Sequence, residues 1–366
     1  MLGRNIKKYR LLSGFSMREM AEQLGVSHQT IKKYEDDTMI PNSERLIEIA
    51  KLLKVKISDL VNAYTVPTLK YSNFRKNSSL SKKKEEGLQM LIADEIAKYI
   101  EILNFADEIY TFDSKKWHFD VENISSLENI AIKVRKLLGV SDECALDNLT
   151  DKLEDNNFLI LEIDFEEKFD GFCEYVDNLA FIILSSKGYE RNRFTLAHEL
   201  GHLILNFTEK LDEKEIEKYC DLFASCLLMP EKAMKRELEV GQRKLLSNVS
   251  LNEVLLLAKE YQVSLSAVIM RLHSLGIIDD NKKRNLFILL SKYGLRTKQL
   301  KFIEEHPTRK NKIIFRLEAE NIISKDEAIK YLGVTTDEYF RSDFSSWCKC
   351  NNTLGKSRTS RWINKW

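Results

Sequence analysis

Apolar residues recur along the chain at helical spacing in most segments and in unbroken runs in one. Ile6, Tyr9, Leu11 and Leu12 mark a first short helix. Ser16 is placed to cap a second that runs to Leu24, with Glu19 three residues on completing a capping box. Gly25-Val26-Ser27 reads as a tight turn, and Ser27 caps a third helix through Glu35. Leu46, Ile47, Ile49, Ala50, Leu52 and Leu53 carry a fourth helix, and Ile57 to Val61 a short fifth. After a polar stretch, Asn77 to Glu86, the positions Leu88, Leu91, Ile92, Ile96, Ile100 and Leu103 predict a long amphipathic helix. Another spans Leu127 to Leu138. The pattern then changes: Phe158 to Phe165, Gly171 to Val176 and Leu179 to Leu184 read as strands, bounded by Asn and charged residues. Helical spacing returns from Phe194 and continues through Leu251 to Leu275 and on to Tyr339.

The helix that follows the strands contains Phe194 to His202, FTLAHELGH. Its His198-Glu199-Leu200-Gly201-His202 matches the H-E-x-x-H pattern. Positions four apart share a helical face, so both imidazoles can reach one metal ion, and Glu199 can polarise a metal-bound water. The competing reading is two histidines on an ordinary half-buried helix. A catalytic zinc site needs a third protein ligand. Glu217 follows His202 by fifteen residues, room for a turn and a second helix, and Asp221 lies on the same face as Glu217. This suits a carboxylate ligand with a second carboxylate that accepts the N–H of a ligating histidine. Without the upstream motif, Glu217 and Asp221 would read as a solvated helix face. Gly201 within a helix costs about 1 kcal/mol relative to Ala, which close backbone packing at the site would explain. Tyr189, Arg271 and His273 are the candidates for stabilising an oxyanion. Arg191 and Arg193 read by default as solvated charges, and His28, His118 and His306 as surface or packing histidines.

With 366 residues the chain is long enough for two or three domains. It is 43% hydrophobic and 31% charged, with only 4 prolines, which points to a helix-rich globular protein. The net charge of +1 creates no global field, so a nucleic-acid partner must be met by a local patch. The N-terminus lacks an apolar signal region and no run reaches membrane-spanning length, so no membrane partner and a cytoplasmic location are expected. The 6 cysteines are scattered as reduced thiols would be, and Cys348-Lys349-Cys350 has no second ligand pair nearby.

The first helices, joined by a Gly-containing turn with small Ala21 before it, fit a helix-turn-helix. Its second helix offers Ser27, His28, Gln29, Thr30, Lys32 and Lys33 to base edges and phosphates. A small helical interaction module is the alternative. Ser16, Ala21, Gly25-Val26-Ser27, Ile31, Tyr34-Glu35, Pro41 and Ile49-Ala50 resemble the Cro/C1-type (XRE) helix-turn-helix family. That resemblance makes His28, Gln29 and Lys32 the base readers. Asp37 stands where members commonly carry Gly, a change that left-handed geometry tolerates.

Further on, DGFCEY, AFIILSS, RNRFTLAHELGHLIL and EKYCDLFASCLLMP, in that order, resemble the ImmA/IrrE family of metallo-endopeptidases. The resemblance implies a zincin-type fold with His198, His202 and Glu217 as zinc ligands, Glu199 as general base and Asp221 as the orienting carboxylate. Cys220 departs from the usual Ala and is small enough to pack in its place.

The expected architecture is mainly α and multi-domain. A five-helix helix-turn-helix domain occupies residues 1–63, and a linker and helical connector 64–126. A zincin-like α+β metallopeptidase domain with a small antiparallel sheet covers 127–278. A helical C-terminal region follows at 279–340, then a basic tail at 341–366. The expected function is a DNA-binding regulator with zinc-dependent endopeptidase activity that cuts a repressor-type protein. The alternative is a regulator or antitoxin-type protein whose zincin-like domain is structural or sensory. Expected partners are a double-stranded DNA operator and a protein substrate, with a homodimer left open.

Overall fold

The computed structural model describes residues 1–62, 81–107, 110–165, 171–186, 189–207, 211–239, 249–295 and 304–341, together with 64, 66, 67, 69 and 169. Residues 77–80 of the polar stretch, the Cys348-Lys349-Cys350 triplet and the basic tail beyond 341 lie outside the described residues.

Five helices open the chain: α1 (Leu2–Leu12), α2 (Met17–Gln23), α3 (His28–Glu35), α4 (Ser43–Leu53) and α5 (Ile57–Val61). Local chemistry sets their ends. Ser16 Oγ accepts from Glu19 N at 3.1 Å while the Glu19 carboxylate accepts from Ser16 N at 2.6 Å, which closes the capping box ahead of α2. Ser27 and Asn42 cap α3 and α4 by one side-chain acceptor each, taking bonds from Thr30 N and Arg45 N. The α2–α3 turn needs a left-handed residue, and Gly25 supplies it with φ +62°. After α3, Asp37 also turns left-handed, with φ 54°, and its carboxylate accepts from Gly3 N at 2.7 Å and from the N-terminal amine. Ile6, Met20, Ala21, Ile31, Ile49 and Leu60 fill the small core.

Helix α6 (Lys82–Phe105) runs for 24 residues and packs on both sides. Toward α1, Gly87 permits close approach, since a Cβ there would lie 2.9 Å from Leu12 N. Asp94 is buried between Arg4 and Lys8 of α1, 2.5 Å from each. Toward the rest of the chain, Leu88, Ile92, Ile96, Tyr99 and Leu103 join a second core.

Next come β1 (Phe119–Val121), α7 (Ser126–Leu137), α8 (Leu149–Glu154), β2 (Phe158–Ile163), β3 (Gly171–Val176), β4 (Leu179–Ser185), α9 (Tyr189–Ile204) and β5 (Leu205–Phe207). Strands β2, β4 and β3 form a three-stranded sheet in that order. The sheet is mixed rather than wholly antiparallel. The β3–β4 hairpin folds back into the slot beside β2, so β4 pairs parallel with β2 and antiparallel with β3. Both faces are covered, which is why these strands read as near-continuous apolar runs. Phe158, Ile160, Cys173, Ala180 and Ile182 face the larger core with α7 and α9. Leu159, Leu161, Phe172, Phe181 and Ile183 face α6 on the opposite side. Short β1 and β5 form a separate parallel pair.

Helices α10 (Glu213–Leu228), α11 (Glu231–Glu239), α12 (Leu251–Tyr261), α13 (Leu265–Ser274) and α14 (Asp280–Lys292) complete the larger core. Helices α15 (Arg309–Ala319), α16 (Lys325–Leu332) and α17 (Thr336–Arg341) follow, with Ile313, Ile314, Leu317, Ala328 and Tyr331 packed in the core that α6 shares with the sheet. The N-terminus of α15 is held by Glu154, which accepts from Thr308 N and Arg309 N at 3.0 and 3.1 Å. No helix among the described residues is long and apolar enough to cross a membrane.

Candidate metal centre and nucleic-acid face

The candidate site is built where α9 lies against α10. Asp212 caps α10, accepting from Glu215 N at 2.8 Å, and the Glu215 carboxylate accepts in turn from Asp212 N at 3.0 Å. The first turns of α9 are tied down by Asn192, which donates to Ser185 O at 2.8 Å, and by Arg193. The Arg193 guanidinium is buried against the Glu305 carboxylate and Leu146 O, not solvated as its charge predicted. Gly201 lets the two helices close: a Cβ there would lie 3.1 Å from the Phe223 ring and 3.4 Å from Cys220.

His198 and His202, one turn apart, bring their Nε2 atoms within 2.9 Å of each other. The Glu217 carboxylate completes a triangle, 3.5 Å from His198 Nε2 and 3.2 Å from His202 Nε2. Donor atoms about 2.0–2.1 Å from a tetrahedral metal are separated by roughly 3.3 Å, so this triangle has the size that a zinc-like ion requires. Asp221 Oδ1 lies 2.7 Å from His198 Nδ1. With a proton on Nδ1 donated to that carboxylate, Nε2 is left with its lone pair aimed into the triangle. The chemistry of the donor set therefore fits a divalent cation. Burial is uneven: His198 is 1% exposed, whereas the side chains of Glu217 and Asp221 are 31% and 59% exposed. The carboxylate side is the open one.

Glu199 is fully buried on the side facing the sheet. It lies against Gly171 of β3, where a Cβ would come within 2.8 Å of Oε1. The buried Cys173 thiol, also on β3, lies beside the Glu199 carboxylate. Burial pushes this thiol well above its ordinary range and the Glu199 charge adds to the effect, so it stays protonated. The thiol of Cys220 is buried too, within 4.8 Å of one ring nitrogen of each histidine. Gly171, Cys173 and Cys220 fall within the stretches that carry the family resemblance, but their residue types and spacing assign none of them a role at the site. Their proximity depends on how β3, α9 and α10 stack.

The oxyanion candidates go elsewhere. Arg271 is buried and binds Met229 O at 2.8 Å and the Glu128 carboxylate at 2.6 Å, joining α13 to the end of α10 and to α7. His273 sits 3.1 Å from Asp280. The Tyr189 side chain lies outside the described residues. His118 pairs with Asp120 and His306 with Glu162.

At the other end of the chain, α3 turns His28, Gln29, Lys32 and Lys33 to solvent, while Ile31 and Tyr34 face the core. Ser27 and Thr30 bond to each other at the helix N-terminus, Oγ to Oγ1 at 2.9 Å. Arg10 braces the far end of α3 through a buried pair with Glu35.

This is a helical fusion of a DNA-binding-type module with a zincin-like, peptidase-type domain. Residues 6–60 match the family model described as Helix-turn-helix, and residues 155–273 match that of the IrrE N-terminal-like domain, a peptidase family. The chain thus joins an XRE-type helix-turn-helix segment to an IrrE/ImmA-like segment. No curated protein matches it significantly.

Proposed function

We propose that the chain is a transcriptional regulator, with residues 1–63 binding a double-stranded DNA operator and residues 127–278 acting as a zinc-dependent endopeptidase on a repressor-type protein. The convergence of His198, His202 and Glu217 on one point, with Asp221 orienting His198, carries this reading. A zinc ion held by those three residues supplies Lewis acidity toward water and the scissile carbonyl. Glu199, beside them, takes the proton from the attacking water on its carboxylate and passes it to the leaving amine nitrogen. Gly171 and Cys173 hold that carboxylate in place, and burial keeps bulk water from it. Strand β3, at the edge of the sheet beside α9, offers backbone groups to an extended peptide. On the DNA side, His28, Gln29 and Lys32 read base edges, while Lys33 and the Ser27–Thr30 end of α3 meet phosphates. A second copy of the chain on the operator and a cytoplasmic location suit this role.

Incubating zinc-loaded protein with repressor proteins encoded near it tests the enzymatic part. Discrete fragments should form with wild type and not with Glu199→Gln, which should keep its zinc. Equal cutting by Glu199→Gln would sink the assignment. A second reading, in which the peptidase-type domain is structural or sensory, draws on the Cys220 thiol beside the imidazoles. Operator binding that survives His198→Ala, with no proteolysis under any condition, would favour it.

A further inference from the structure

Cys220 lies on α10 three residues after Glu217 and directly before Asp221, on the face turned toward α9. Its thiol is wholly buried, in a slot made by the missing side chain of Gly201. Its sulfur is within 4.8 Å of one ring nitrogen of His198 and one of His202. Sulfur and nitrogen on a shared tetrahedral ion are separated by roughly 3.5 Å. Closing the difference takes a movement of about 1 Å, less than a χ1 rotation gives a cysteine sulfur.

We propose that Cys220 is a fourth protein donor to the metal held by His198, His202 and Glu217, so that the resting site is closed by sulfur. This rests on the metal-site reading above and specifies how that site is regulated. On coordination the S–H bond breaks, the proton leaves to solvent and a sulfur lone pair forms the bond to the metal. No electron is transferred and no co-reactant is needed. Zinc accepts thiolate, imidazole and carboxylate ligands together, and a site with four protein ligands is the closed, structural kind. Catalysis then requires the metal–sulfur bond to break, the sulfur to take a proton back from solvent and Cys220 to swing away, leaving the open position that hydrolysis uses. Cys173, a second buried thiol nearby, lies beside Glu199 and is the natural control.

Full-length protein stripped of metal and reloaded with cobalt(II) reports the sulfur directly. Visible d–d absorption registers bound cobalt, and a near-ultraviolet charge-transfer band registers thiolate on it. Wild type and Cys173→Ala should show both. Cys220→Ala, small enough for the same slot, should keep the d–d bands, lose the charge-transfer band and retain zinc about tenfold less well against a chelator. Wild-type d–d bands without the charge-transfer band overturn the proposal, as does a charge-transfer band that survives Cys220→Ala. A wild type that shows no d–d bands at all overturns the metal-site reading along with it.

Discussion

Gly171 has no side chain, and Glu199 uses the space. Adding one methyl there places a carbon 2.8 Å from Oε1 of the carboxylate, so the carboxylate must move. The three nearest atoms to that carbon belong to Glu199 and Thr195, not to the imidazoles or Glu217. Gly171→Ala should therefore keep its metal, as measured by elemental analysis, while peptidase turnover falls about a hundredfold, the usual effect of a misplacement near 1 Å. Asp221 gives the complementary case. It contacts His198 Nδ1 at 2.7 Å and is positioned to fix the tautomer. Asp221→Ala should weaken zinc binding by about 10- to 100-fold in a chelator competition, with the fold intact by circular dichroism. If zinc affinity is unchanged, the orienting role is wrong.

Among elements, the contact between α1 and α6 is built around a buried charge cluster. Lys8 is buried, and burial lowers its pKa despite the partial compensation from Asp94. Asp94→Ala leaves Lys8 inside without its counter-charge, a loss that costs about 3–5 kcal/mol. Thermal unfolding of this variant should begin at the helix-turn-helix end, seen as early loss of operator binding. Double replacement of Asp94 by Leu and Lys8 by Met should restore most of the stability. These partners are 86 residues apart, and no local pattern announces them. The same distinction separates what could be read from the chain and what could not. Helices α2, α3, α9 and α10 are legible because apolar spacing and caps such as Ser16 and Ser27 are local properties. Strands β2, β3 and β4 are legible as runs, but their order and the parallel β2–β4 pairing depend on where the β3–β4 hairpin docks. β1 and β5, three residues each, carry no periodicity. Charge misled at Arg193, since an arginine held by a buried carboxylate and a carbonyl looks in sequence like one in water. Arg271, an oxyanion candidate in sequence, is instead taken up by Met229 O and Glu128. At the centre, His198, His202, Glu217 and Asp221 could be grouped because helix spacing puts each pair on one face. Cys220 shares that spacing, yet only the packing of α9 on α10 places it near the imidazoles.

At the scale of the whole molecule, pH acts through the N-terminus of α15. Burial raises the Glu154 carboxyl from 4.5 to about 7, against the lowering effect of the Thr308 and Arg309 backbone N–H groups. A carboxyl raised on folding favours the folded state fully below pH 4.5, and this contribution is lost as the pH climbs through about 7. Wild type should thus lose thermal stability between pH 5 and 8 by more than Glu154→Gln does, measured as Tm in matched buffers. An identical slope in the two proteins would remove Glu154 as the cause.

Helix α6 also decides how the molecule can be divided. The stretch that matches the IrrE N-terminal-like domain begins at residue 155 and ends at 273, so it contains the sheet but neither α6 nor α15. A fragment cut at those borders would present Leu159, Leu161, Phe172, Phe181 and Ile183 to water. At about 2 kcal/mol for each large side chain uncovered, the loss rivals the 5–15 kcal/mol that holds a typical domain folded. Such a fragment should be recovered as aggregate, whereas one that starts at residue 81 and keeps the chain through 341 should remain in solution. The unit expected to fold is larger than the stretch that matches the family model.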